Sequence, residues 1–257
     1  MSILEGQFQS FYIFTTTKIV MLKKEQDPMG QAIYNYYHRG DTNPILVDTN
    51  ITSGEELPVE HLFRSYNDMP HLEKKALELV KGKVLDIGAG AGAHSLHLQK
   101  SGYNVTAMDI SELSCEVMTE RGVENVICGD VWNCKLERFD TILLMMNGIG
   151  LVKNLEGLSF FFEYIKQFIN PSGQILLDSS DLKYMYDGED VSELNLTEGY
   201  YGCLHYHLSY KDSIADPFPW LFVDFENLRN LAVNKGWDVE LIYEDEHYHY
   251  LAKLTLE

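Results

Sequence analysis

The run Val84-Leu85-Asp86-Ile87-Gly88-Ala89-Gly90-Ala91-Gly92 constrains this chain more than any other stretch. An apolar strand enters three alternating glycines, a helix follows, and a second strand from Asn104 to Met108 ends at Asp109. Alternating glycines let a backbone turn sharply and approach a ligand closely, with the helix N–H groups aimed at whatever lies above them. A carboxylate at the tip of the next strand is placed to accept both hydroxyls of a ribose. The pattern predicts a nucleoside-cofactor site on an α/β sheet.

Two cofactors fit the glycines. Gly88, Gly90 and Ala93 satisfy a dinucleotide fingerprint with Asp109 as its ribose acid. Alternatively, Asp86-Ile87-Gly88-Ala89-Gly90-Ala91-Gly92 resembles motif I of the class I S-adenosylmethionine (SAM) methyltransferases. Asp86 separates the readings, because a carboxylate there repels a pyrophosphate but suits the ammonium and sulfonium of SAM.

The order of elements from Lys83 onward alternates strand and helix, as a parallel sheet requires. Apolar runs at Phe139 to Met146 and Gln174 to Leu177 predict buried central strands, with Asn170-Pro171-Ser172-Gly173 as a breaker before the latter. Trp237 to Tyr243 and His247 to Leu254, joined by Glu244-Asp245-Glu246, predict a closing antiparallel hairpin. The expected fold class is α/β: a seven-stranded, mostly parallel sheet with helices on both faces, a C-terminal antiparallel hairpin and an N-terminal helical lid. The expected divisions are an N-terminal extension over 1–26, of which residues 1–20 are expected to contribute little to the fold, a helical lid or lead-in over 27–80, and a SAM-binding domain over 81–257 with an insertion at about 181–220.

What the resemblance implies for individual residues follows position by position. Asp86, Gly88, Ala89 and Gly90 would line the methionine half of SAM. Asp109 would hold the ribose, Ile110 would lie against the adenine, and Asp130 with Val131 would meet its amino edge. Met146 and Asn147, at the end of the fourth strand, would border the transferable methyl, or Asn147 would cap the helix after it. Arg64 is expected either as a clamp on the SAM carboxylate or as a surface arginine. The run Met145-Met146-Asn147-Gly148 departs from the Asn/Asp-Pro-Pro-Tyr run of enzymes that methylate planar amines, which argues against nucleobase methylation.

The histidines form two His-Tyr-His triplets, His205/His207 and His247/His249. On a strand each pair shares a face, yet no acidic ligand motif accompanies them, and no metal is expected. His205 or His207 is the candidate base, and His94 is read as structural. The Tyr200 to Trp220 stretch, rich in aromatics, is expected either to wall an acceptor pocket or to form a hairpin buried for stability.

A net charge of −19 counts against nucleic acid or an anionic membrane as partner, since phosphate binding needs a basic face. Four cysteines without CxxC spacing read as reduced thiols, and the N-terminal twenty residues lack the basic start and cleavage site of a signal peptide, so a cytoplasmic location is expected. The expected function is SAM-dependent methyl transfer to a small-molecule acceptor. A non-catalytic SAM-binding module and a nicotinamide-dependent oxidoreductase are the alternatives.

Overall fold

A computed structural model describes residues 22–186 and 199–256. The 1–20 expectation lies outside them, as does most of the stretch between the fifth core strand and Gly199. The lead-in opens with helix α1 (Pro28–Arg39). Its ends are written in the sequence: Asp27 accepts the Gly30 N–H as N-cap, Pro28 takes the first position, and Gly40 closes it in a left-handed conformation.

The lead-in is not helical throughout. Strands β1 (Ile45–Asp48) and β2 (Glu55–Leu57) form a small antiparallel pair before helix α2 (His71–Glu78). From there the chain runs β3 (Lys83–Ile87), α3 (Ala93–Lys100), β4 (Asn104–Asp109), α4 (Glu112–Glu120), β5 (Asn125–Cys128), β6 (Phe139–Leu144), α5 (Leu155–Tyr164) and β7 (Ile169–Ser180). The insertion carries β8 (Cys203–Tyr210), β9 (Ser213–Ile214) and β10 (Phe218–Leu221). Helix α6 (Phe225–Val233) and the hairpin β11 (Trp237–Glu244) and β12 (His249–Leu256) finish the chain.

Seven strands form the main sheet in the order β11-β12-β7-β6-β3-β4-β5. Pairing is parallel from β5 through β7, whereas β12 runs antiparallel to both its neighbours. The expected fold class holds. Strand alternation splits the core into two layers. Leu85, Ile87, Ile142 and Leu144 pack with Leu158, Phe161 and Phe162 of α5 and Leu228 of α6. Val84, Leu143, Leu176 and Leu251 pack on the other face with Leu72, Ala76 and Leu77 of α2 and Leu98 of α3. Each fully buried aliphatic side chain there contributes about 1.5–3 kcal/mol of transfer free energy. The breaker Asn170-Pro171-Ser172-Gly173 does not precede β7 but interrupts its register. Ile169 pairs with Phe139 and Gln174 with Thr141, so the residues between them bulge out.

A second sheet, ordered β10-β8-β1-β2 with β9 on β8, joins the lead-in to the insertion. Leu208 and Tyr210 of β8 and Ile45 of β1 pack on Ala32 and Ile33 of α1, and Tyr206 and Phe218 flank this cluster. Among the described residues, no helix is long and apolar enough to cross a membrane.

Candidate cofactor and acceptor site

The glycine turn lies at the carboxyl edge of β3, where open α/β sheets bind ligands. Gly88 and Ala89 donate their N–H groups to the Met108 carbonyl (2.9 and 3.0 Å), which folds the turn onto the end of β4. Gly88 (φ +76°) and Gly90 (φ +57°) occupy left-handed backbone, and a Cβ on either would meet no atom within 4 Å. Conformation therefore demands glycine, and the open face above leaves room for a ligand.

Asp109 is built into this turn. Its Oδ2 accepts the Gly90 N–H at 2.8 Å, and its Oδ1 accepts the Ser111 N–H at 2.9 Å. Burial pushes its carboxyl up to about 6 despite these bonds. Ile110 beside it is exposed. Asp86 is 2% exposed and accepts the Ser95 hydroxyl at 2.6 Å; burial raises its pKa, against the pull of the His94 charge and of Ser95.

One cavity is lined by Arg64, Asp86, Gly88, Ala89, Gly90 and Met146, together with Leu62, Ala91, Ala93, His94 and Met145. Arg64 is not a surface arginine. Its Nε and Nη2 donate to the two oxygens of Glu73 (3.1 and 2.5 Å), and Nη1 donates to the His61 carbonyl. Glu73 Oε2 also pairs with His94 Nε2 at 2.8 Å. Burial acts to raise the Glu73 pKa, but His94 and Arg64 outweigh it and hold the carboxyl below its ordinary value. His94 thus belongs to the charged wall of the cavity.

At the end of β6, Met146 (φ +58°) and Asn147 (φ +56°) both adopt left-handed backbone. Asn147 does not cap the turn after it. Its Nδ2 donates to the Leu221 carbonyl (3.1 Å), and its Oδ1 accepts the Ser179 hydroxyl (2.7 Å), tying β6, β7 and β10 together. Its N–H donates to Asp178 Oδ2 at 3.1 Å. Burial drives the Asp178 carboxyl up to about 7, and its buried Oδ1 has no hydrogen-bond partner among the described residues.

Other expected residues lie away from the cavity lining. Asp130 closes its own turn, accepting the Trp132 N–H and the Asn133 amide, and Val131 is buried with its carbonyl held by Tyr164. His205 and His207 alternate with Tyr206 and Leu208 on β8, so they point to the face opposite α1. The two His-Tyr-His triplets sit in different sheets, with His247 in the turn before β12.

The architecture and this turn have close counterparts. A methyltransferase domain model matches residues 84–173. A solved SAM-dependent methyltransferase from Bacteroides fragilis, in complex with S-adenosylhomocysteine, is 42% identical. The match covers 94% of this chain and 99% of that one, with a TM-score of 0.86. The chain belongs to the SAM-dependent methyltransferase family. A ubiquinone biosynthesis O-methyltransferase from Rickettsia canadensis is 24% identical over 61% of this chain and 63% of its own length, so less than two thirds of that relative is spanned. A SAM-dependent methyltransferase structure from Clostridium acetobutylicum, 13% identical with a TM-score of 0.52 over 77% of this chain and 95% of that one, shares the fold.

Glu73, Asp178, Ser95, Ser111 and Asp27 were not visible as site residues in this methyltransferase's sequence. His94-Ser95, directly after the glycine turn, is the one pair whose position could have pointed to the cavity. Glu73 carries no local signal, because it is defined by partners brought in from other elements, whereas Asp178 is marked only as the acid that ends the apolar run of β7.

Proposed function

We propose that this methyltransferase binds SAM in the cavity above Gly88 and Gly90 and transfers its methyl group to a small, partly aromatic acceptor. The charge of the cavity carries the reading. Asp86 lies in the lining, and Glu73 behind it pairs with Arg64 and His94, offsetting the two cationic groups of the wall and leaving the Asp86 carboxyl to face a ligand. Such a wall suits a ligand that carries an ammonium and a sulfonium, and it disfavours the pyrophosphate of a dinucleotide.

SAM supplies a methyl group already activated by its sulfonium. What this chain contributes is placement and exclusion of water, and placement alone can supply about 7–11 kcal/mol. Asp109, held by Gly90 and Ser111, keeps lone pairs for two ribose hydroxyls. Arg64 retains N–H groups beyond those given to Glu73 and His61, enough to meet a carboxylate.

The acceptor wall comes from the second sheet. Tyr206, Phe218, Trp220 and Phe222 form an aromatic row, with Tyr206 stacked on Phe218 and Phe222. Trp220 lies so close over Gly150 that a Cβ there would fall 2.1 Å from the indole nitrogen, which seats the row beside the Met146-Asn147 turn. Flat apolar walls favour ring acceptors. The Rickettsia relatives are named as O-methyltransferases of ubiquinone biosynthesis, which supports methyl transfer to a small molecule.

Calorimetric titration with SAM, S-adenosylhomocysteine and NADH tests the cofactor, and methyl transfer from labelled SAM to a panel of phenols, catechols and aromatic amines tests the acceptor. Binding of NADH alone would overturn the first reading. Transfer only to acyclic acceptors would overturn the second.

A further inference from the structure

The N-cap of α1 meets the N-cap of α4 through a carboxyl and a hydroxyl. Asp27, 3% exposed, accepts the Gly30 N–H on Oδ1 at 2.8 Å and the Ser111 hydroxyl on Oδ2 at 2.5 Å. Ser111 gives its own N–H to Asp109 Oδ1 at 2.9 Å, and its Oγ caps α4 by accepting the Ser114 N–H at 3.0 Å. Gly30 permits the approach, since a Cβ there would fall 2.1 Å from Asp27 Oδ2 and 2.2 Å from Ser111 Oγ.

Capping a helix needs one carboxylate oxygen. Here the second oxygen reaches into another element and brings a buried acid close to Asp109, where the two charges repel and help raise the Asp109 pKa. Burial raises the pKa of Asp27 itself, against the bonds from Ser111 and Gly30. One serine therefore serves both acids, by its hydroxyl and by its amide. An arrangement that costs electrostatic energy and joins the lead-in to the ribose-facing acid calls for a function beyond the cap.

We propose that Asp27 is a positioning residue for cofactor binding: through Ser111 it fixes the Asp109 carboxylate toward the ribose hydroxyls, making helix α1 a part of the nucleoside site. The proposal rests on the reading of Asp109 as the ribose acid. By reciprocity, the cofactor must then tighten the docking of α1 by the factor that α1 tightens the cofactor.

The groups around Asp109 make Asp27 separable. Cys115 of α4 donates its thiol toward the Asp109 carbonyl at 3.5 Å, and Cys128 ends β5; burial pushes both thiols up, so they stay neutral. Glu112 opens α4 and is exposed. Asp27 is the buried charge facing Asp109.

The test is calorimetric titration of S-adenosylhomocysteine across a pH series with the full chain, Asp27→Asn, Asp109→Asn and the double variant. Asparagine keeps an oxygen for the Gly30 N–H and removes the charge. Asp27→Asn is expected to weaken binding about 3- to 10-fold at neutral pH and above, the scale of one hydrogen bond. The pH midpoint of binding moves lower, because a like charge beside Asp109 is gone, and the substitution adds nothing once Asp109 is Asn. Unchanged affinity and midpoint, or losses that simply add, overturn the proposal. In the unaltered protein, S-adenosylhomocysteine is expected to slow amide exchange at Gly30 and Gln31, and equal exchange with and without it overturns the proposal even where a variant fails to fold. Native-like binding by Asp109→Asn alone instead overturns the ribose assignment.

Discussion

Arg64 and Glu73 meet in a two-pronged contact between side chains only 4% and 7% exposed. Buried pairs of this kind are costly to break, because the surviving charge is left without water or partner. Glu73→Gln should lower unfolding free energy by about 3–5 kcal/mol in urea denaturation. The Glu73 carboxyl is held below its ordinary value of 4.5, so its contribution is fully present above that pH and is lost as pH falls through the folded value. An unaltered melting temperature in Glu73→Gln would contradict this account.

Asp109 and Asp178 act in the opposite direction. Burial raises their carboxyls from 3.8 to about 6 and about 7, so the folded protein holds their protons more tightly than the unfolded chain does. Their contribution is present at acid pH and declines as pH rises through those values. The ligand-free protein should therefore melt at lower temperature at ~pH 8 than at ~pH 5.5, while stabilisation by S-adenosylhomocysteine grows over the same interval. Thermal melts with and without ligand read both trends.

Asp109→Ala removes the brace on Gly90 and, in the proposed reading, the acceptor for two ribose hydroxyls. Hydrogen bonds to a charged group contribute about 1.5–3 kcal/mol each, so S-adenosylhomocysteine affinity should fall by about 100-fold or more. Calorimetry reads this directly.

Asn147→Ala should cost about 2–3 kcal/mol, since it abandons the Leu221 and Ser179 bonds and places alanine at φ +56°. Asn147→Gly relieves the backbone but not the bonds, so its stability should fall between the two. Denaturant midpoints of the three proteins give the order.

Gly150→Ala drives a methyl group into Trp220. The expected result is altered tryptophan emission and weaker methyl transfer at unchanged S-adenosylhomocysteine affinity. Loss of cofactor binding in this variant would separate Trp220 from the acceptor side.

The main sheet was legible because each strand from β3 to β7 announces itself by an apolar run that ends in glycine, asparagine or aspartate at the ligand-binding edge. The second sheet was not. Glu55-Glu56-Leu57 has no strand pattern of its own, and β1 becomes a strand by pairing with β8, far away in sequence. Charged site residues escaped for a related reason. Glu73 looks like any surface acid of a helix until Arg64 and His94 neutralise it inside the protein, and no local signal reports such compensation. His205 and His207 were visible as a pair, but the face of β8 they occupy is decided by what α1 covers.

That second sheet also bears on how the molecule comes into being. Its strands arise from 45–57 and 203–221, on either side of the glycine turn and most of the core. During synthesis the early strands emerge long before their partner, and closing so long a loop is entropically expensive and slow. The glycine-turn half of the core has its own local βα contacts with which to begin folding. The aromatic row can only be assembled late, after the ribosome has passed β10, so an interrupted chain would hold the glycine turn without the row proposed to wall the acceptor.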